Sequence, residues 1–434
     1  MKAPQYIYTL LLLPLLCQPL VASDLIEVYK VAESNDTVIS KALAALRATE
    51  QRYLQSRGQL LPKADFTVDT SQAEQKIGNN SNSNTSSWGY SLSITQPLYN
   101  RGNYDLLKQS DRLKAKALID YDAAKQSLII RVAETYFNVL ASQDNLDFAD
   151  AEIKANARQL EQTKQRFEVG LIAITDVHEA QAAHDLAFAR KIVVQNELTS
   201  QIESLRELTG KYYNKFKHIA AEIPLNKPMP NTADAWVEHA LESNLRILAS
   251  RLSLEASRAQ VREQQSGHFP TLDLIGRHTY QDDAGRFVNN ESSTNTSLML
   301  QLNLPLYRGG STTAKIKESE QFYNQELADL EQIRRNVQRQ TRDAYSSVLA
   351  NISRVNALKQ GIISTQSALE ASQAGLEVGT RTTVDVLNTR RELFRAQRDH
   401  ARARYDYILS TLSLKEATGA LSRNDLLHIN ELLL

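Results

Sequence analysis

The residues able to do chemistry are few and badly placed for it. His178 and His184 lie six apart, whereas two ligands on one helical face need a spacing of about three or four. Cys17 is the only cysteine, and no Ser-His-Asp set, glycine-rich phosphate loop or paired-carboxylate motif stands out. The chain therefore reads as a non-enzyme with no metal site and no cofactor. Its 50 basic side chains balance 50 acidic ones, so charge gives no argument for a nucleic-acid partner. What remains suggestive is two short segments around Gly170 and Gly379, glycines suited to the left-handed cap that ends a helix. After the first, Asp176 and Glu179 are spaced to open a new helix as a capping box.

Those turns need elements to hold them, and the chain begins with a leader. Lys2, an apolar run from Tyr6 to Leu16, and Val21-Ala22-Ser23 read as a secretory signal cleaved after Ala22 or Ser23. Cys17 falls inside it and follows Leu16 rather than the small residue a lipoprotein signal wants, so the mature chain has no thiol. Beyond the leader no run of about 18 apolar residues provides a membrane-spanning helix. Any crossing of a membrane has to be made by a barrel.

The chain then repeats itself. Pro62, Pro97-Leu98-Tyr99 and Gly102 match Pro270, Pro305-Leu306-Tyr307 and Gly310 at an offset of 208. Tyr136, Glu168-Val169-Gly170, Asp176-Val177 and Thr209-Gly210 match Tyr345, Glu377-Val378-Gly379, Asp385-Val386 and Thr418-Gly419 at 209. Residues 24–210 and 232–419 are two copies of one unit, with 1–23 the leader, 211–231 a proline-containing linker and 420–434 a C-terminal equatorial segment.

Each unit reads helix, strand, strand, long helix, turn, helix. The opening helices, Asp24 to Gln59 and Asp234 to Gln265, stop before Pro62 and Pro270, which cannot supply a helical donor. Strands are expected at about 64–75, 88–99, 271–281 and 296–306. Phe66 and Val68, Tyr90 and Leu92, and Leu298 and Leu300 alternate with polar neighbours, although Met299, Ile275 and Arg277 disturb the period. Gly78 to Ser87 and Asp282 to Thr296 read as solvated loops. From Gly102 to Glu168 there is neither Pro nor Gly, enough for a helical rod on the order of 100 Å. Leu146, Ile153, Leu160 and Phe167 recur every seven residues, as do Val355, Ile362, Leu369 and Leu376, which specifies supercoiling against a neighbour.

Four half-apolar strands cannot close a barrel, and open edges in lipid leave backbone groups unpaired at several kcal/mol each. A cyclic oligomer resolves this, with twelve strands if three chains contribute. A soluble sheet on a coiled coil is the bland alternative, disfavoured by the leader and the repeat. A periplasmic adaptor would carry one hairpin and a lipoyl-like domain, whereas here the hairpin occurs twice.

The segments Arg166-Phe167-Glu168-Val169-Gly170-Leu171-Ile172-Ala173-Ile174-Thr175-Asp176-Val177 and Gly375-Leu376-Glu377-Val378-Gly379-Thr380-Arg381-Thr382-Thr383-Val384-Asp385-Val386-Leu387 closely resemble the hairpin tips of the TolC family. Pro97-Leu98-Tyr99, Pro305-Leu306-Tyr307-Arg308-Gly309-Gly310 and Ser266-Gly267-His268-Phe269-Pro270 resemble its corners between strand and helix, and the match covers nearly the whole mature chain. The resemblance implies an α+β membrane protein: a homotrimer whose 12-stranded transmembrane β-barrel sits in outer-membrane lipid of a Gram-negative cell. A 12-helix α-barrel tunnel would continue it across the periplasm. It implies an exit duct for efflux or type I secretion, docked to a periplasmic adaptor protein. The driving pump would be of the resistance-nodulation-division, major-facilitator or ABC class.

Site residues follow by the same resemblance. Thr175, Asp176 and Arg381 match the polar latch of the closed tip, while Leu376 stands where a latch tyrosine is expected and cannot make its hydrogen bond. Asp385 matches the first position of an acidic entrance ring and Asn388 replaces the second acid; Arg390 and Arg391 follow, and either make the entrance less negative or are solvated surface charges. Val169, Gly170, Leu171, Val378, Gly379 and Thr380 match the adaptor-contact grooves, where glycine permits close backbone approach.

Overall fold

The computed structural model describes residues 23–77, 81–220, 222–285 and 288–434. The expected leader, with Cys17, lies outside the described residues except for Ser23, which pairs with Phe216 in an isolated parallel bridge.

Each opening helix proves to be two. α1 (Leu25–Asn35) and α2 (Thr37–Gly58) meet at Asp36, whose extended backbone breaks the rod while its carboxylate accepts from the Ile39 N–H at 2.8 Å. In the second unit, α5 (Ala233–Ser243) and α6 (Leu245–Gln265) meet at Asn244, which caps Arg246 and Ile247 in the same way. An Asx side chain that satisfies the first free N–H groups of the next helix stabilises the break, and hydropathy carries no sign of it. Arg131 clamps Asp36 through two hydrogen bonds of 2.8 and 3.0 Å.

Four antiparallel strands form one sheet in the order β1 (Lys63–Ile77), β2 (Ser81–Asn100), β3 (Thr271–Gly285) and β4 (Val288–Asn303). The segments expected as solvated loops are mostly strand, with Ile77 paired to Ser81 and Gly285 to Val288. Pairing needs backbone groups and no apolar side chain, so Ser, Asn and Thr runs extend the ladder where both faces are polar. β4 ends at Asn303, short of the expected 306, before Pro305, whose ring nitrogen has no hydrogen to donate.

The register sorts the faces. Phe66 sits opposite Leu92 and Leu92 opposite His278, while Leu274 faces Leu300 and Leu272 faces Leu302, all on one apolar side. The two residues that break the alternation, Ile275 and Met299, are cross-strand partners on the other face. Arg277 lies in phase after all, opposite Ser93 and Ser297. Toward the far end of the apolar face Tyr90 stacks on Tyr280 with centroids 5.5 Å apart and Trp88 lies tilted against Tyr280 at 5.3 Å, as an aromatic girdle would. Gly89 is required there, since a Cβ would stand 2.7 Å from the Tyr280 carbonyl oxygen.

Below the sheet run α3 (Arg101–Glu168), α4 (Ile174–Thr209), α7 (Ser311–Glu377) and α8 (Thr383–Ala417). The middle of α3 and α7 and the C-terminal ends of α4 and α8 hold the main core. Tyr136, Phe137 and Leu140 of α3, Leu205 of α4 and Tyr405 and Leu412 of α8 are almost wholly buried there. Residues 211–231 and α9 (Arg423–Asn430) wrap this waist, where an antiparallel bridge joins Ile219 to Leu433. Among the described residues no helix is long and apolar enough to cross a membrane.

Candidate functional site at the hairpin tips

Both hairpins end in the same turn. Gly170 at φ 76° and Gly379 at φ 77° follow the last helical residues, in the left-handed region that costs an L side chain roughly 1–2 kcal/mol. Leu171 N–H donates to Arg166 O at 2.9 Å and Thr380 N–H to Gly375 O at 2.8 Å, the six-to-one bond of a Schellman cap. Val169, Leu171 and Val378 are each at least 70% exposed, so the turns present apolar side chains outward.

The returning helices start differently. Thr382 caps α8 in a full capping box: its hydroxyl accepts from the Asp385 N–H at 3.2 Å, and the Asp385 carboxylate accepts from the Thr382 N–H at 2.9 Å. These bonds, the backbone one first, hold the Asp385 carboxyl below its ordinary value. At the equivalent start of α4 the cap is Ala173, which offers no side-chain bond. The box expected from Asp176 and Glu179 is absent, because Asp176 sits in the third helical position and an alanine occupies the cap. Asp176 is left half-exposed in the first turn with Thr175 exposed beside it.

Within one chain no hydrogen bond or ion pair joins Arg381 to Thr175 or Asp176 among the described residues. Arg381 lies instead against Gly375, where a Cβ would stand 2.6 Å from the arginine Cγ. Leu376 packs half-buried onto Leu369, Val386 and Leu393, and Asn388 is exposed.

A cleft of about 840 Å³ separates the two tips, walled by the lower end of α3, the end of α7 and the start of α8. Val169 and Leu376 share this cleft, while Thr175 and Asp176 do not line it. Arg390, for which the sequence leaves solvated charge as one of two open readings, reaches across and donates to Ala155 O and Gln159 Oε1 at 3.2 Å each. Burial, with repulsion from Arg158, holds its guanidinium below the ordinary value. Higher on the rod the Glu152 carboxylate, 5% exposed, accepts from Arg190 of α4 at 3.1 Å and from Arg398 of α8 at 3.5 Å. Sequence reading missed this knot, although its trace is present. Glu152, Asn156, Gln159 and Thr163 recur at four, three and four residues on α3, and all are buried.

The family described as outer membrane efflux protein matches residues 28–211 and again 236–420, so each unit is matched separately. Outer membrane protein TolC of Vibrio cholerae is 38% identical over 414 residues, covering 94% of this chain and 93% of that protein. TolC of Escherichia coli is 34% identical, covering 95% and 85%. This chain belongs to the TolC family of outer membrane efflux proteins. Among solved structures, the outer membrane protein VceC of Vibrio cholerae superposes with a TM-score of 0.76 at 18% identity, covering 91% of this chain and 96% of that one. A TolC-family chain with this sheet and these hairpins is an outer-membrane exit duct for efflux and type I secretion, its helices extending into the periplasm. The family consists of channels rather than enzymes, and its members work with adaptor proteins and inner-membrane pumps.

Proposed function

We propose that three copies of this chain close one twelve-stranded barrel in the outer membrane and one twelve-helix tunnel below it. The observation that carries this is the sheet itself. β1 and β4 have unpaired outer edges, and the face bearing Phe66, Leu298, Leu300 and Leu302 is more than 60% exposed at each of those residues. A spanning sheet with open edges is not viable in hydrocarbon, so sister sheets have to complete the cylinder.

In this assembly the tips are the periplasmic gate. Among the described residues the Arg381 side chain forms no hydrogen bond or salt bridge, which supports a latch made to Thr175 and Asp176 of a neighbouring subunit. With Leu376 in place of a tyrosine that latch is one hydrogen bond short. Asp385 supplies one carboxylate per chain to the entrance and Asn388 none, so three-fold symmetry gives a weaker acidic ring. Val169, Gly170 and Leu171 with Val378, Gly379 and Thr380 form the exposed grooves that an adaptor hairpin engages, and the adaptor links the duct to a pump of the resistance-nodulation-division, major-facilitator or ABC class.

The test is extraction of the mature protein in mild detergent, mass measurement and reconstitution in planar bilayers. The expected result is a particle of three chains that conducts ions; a water-soluble monomer without channel currents overturns the reading.

A further inference from the structure

The cleft between the tips holds more positive charge than its own carboxylates balance. Arg158 and Arg166 reach it from α3 and Arg390 from α8, whereas Glu377 is the one carboxylate on its wall. Among the described residues none of these three arginines forms a salt bridge, while Arg190 and Arg398 higher on the rod share Glu152. Arg390 donates only to neutral oxygens, on Ala155 and Gln159, and it senses the like charge of Arg158. Gln162 and Gln373 add amide donors to the same wall. Planar guanidinium groups converging from two elements, three of them against one carboxylate and none salt-bridged among the described residues, are suited to bidentate binding of phosphate oxygens.

We propose that this cleft is a binding site for a small multivalent oxyanion of the pyrophosphate class, which ties α3 of the first hairpin to α8 of the second. This goes beyond the exit-duct reading. A ligand shifts a conformational equilibrium only through differential affinity, and here the difference is built in. The guanidinium groups belong to both hairpins, so separating the hairpins on opening takes the donors apart. The bound anion therefore favours the closed tip.

The experiment titrates sodium pyrophosphate into the full-length protein in detergent by isothermal calorimetry, for wild type, Arg166→Gln, Arg390→Gln and Arg158→Gln/Arg166→Gln. The Arg166 side chain makes no hydrogen bond or ion pair among the described residues, so its substitution spares the cap that Leu171 N–H closes on the Arg166 carbonyl. Saturable binding that weakens about tenfold in Arg166→Gln, the loss of one charge-assisted bond, is the expected result, with none measurable in the double variant. Absent binding, or equal affinity in all four proteins, means an adventitious ion only and overturns the proposal. Bilayer currents of the same preparations without pyrophosphate test the duct reading separately; adding it lowers wild-type conductance and leaves the double variant unchanged.

Discussion

Asp385 does two jobs at once. Its carboxylate closes the capping box of α8 with Thr382, and in the proposed assembly the same group is the one offered to the periplasmic entrance. Because the hydrogen bonds lower its folded pKa, the cap is fully formed above the ordinary carboxyl value of 3.8 and is lost as pH falls through the lower folded value. Asp385→Asn is therefore expected to speed amide exchange at residues 383–386 at pH 7, read by hydrogen–deuterium exchange, with the difference from wild type vanishing well below pH 3.8. If exchange is unchanged at pH 7, the carboxylate is not what holds this turn. Leu376 argues similarly from its packing. Its side chain already packs against the cluster of Leu369, Val386 and Leu393, so Leu376→Tyr keeps the apolar contact and adds a hydroxyl at the proposed latch. Single-channel conductance should fall in that variant; an equal or higher conductance counts against a latch at this position.

At the scale of elements, the two hairpins are joined unevenly. Above the tips Glu152 binds arginines from both α4 and α8, whereas the equivalent position on α7 is Gly361, so the knot exists in one unit only. Removing one partner of a fully buried pair costs about 3–5 kcal/mol; Arg190 is 40% exposed, which lowers the expectation for Glu152→Gln to about 2 kcal/mol. Thermal unfolding of the variant should show a lower midpoint, and faster exchange should be confined to residues 152–160 and 390–400. A midpoint equal to wild type would mean that the Glu152 carboxylate adds nothing to the hold between the hairpins. Below the knot, contacts turn polar and partly exposed, with Arg390 on a backbone carbonyl and a glutamine. In the proposed gate it is these polar contacts between hairpins that give way, while the waist core of Tyr136, Phe137 and Tyr405 stays packed.

For the whole molecule, the sheet decides where the protein resides. Leu300 lies opposite Leu274 on the apolar face and is 61% exposed in the isolated chain. Leu300→Lys places a cation on the lipid side at a cost of about 2–4 kcal/mol if it lies near the bilayer midplane. The yield of membrane-inserted protein should drop, with little change for Gln301→Lys on the opposite face. Equal loss in both variants would assign the wrong face to lipid.

Composition and spacing determined the skeleton of this protein: two copied units, long uninterrupted helices, alternating strands and glycine turns. These are local properties, since proline, glycine and a period of two or seven act on their own neighbours whatever the rest of the chain does. The strand extensions through Ser and Asn runs, the breaks at Asp36 and Asn244, the Ile275 to Met299 pairing and the Glu152 and Arg390 contacts were settled only by tertiary structure. Each depends on a partner distant along the chain, and a polar residue on a helix reads the same in sequence whether it meets water or a guanidinium from another hairpin.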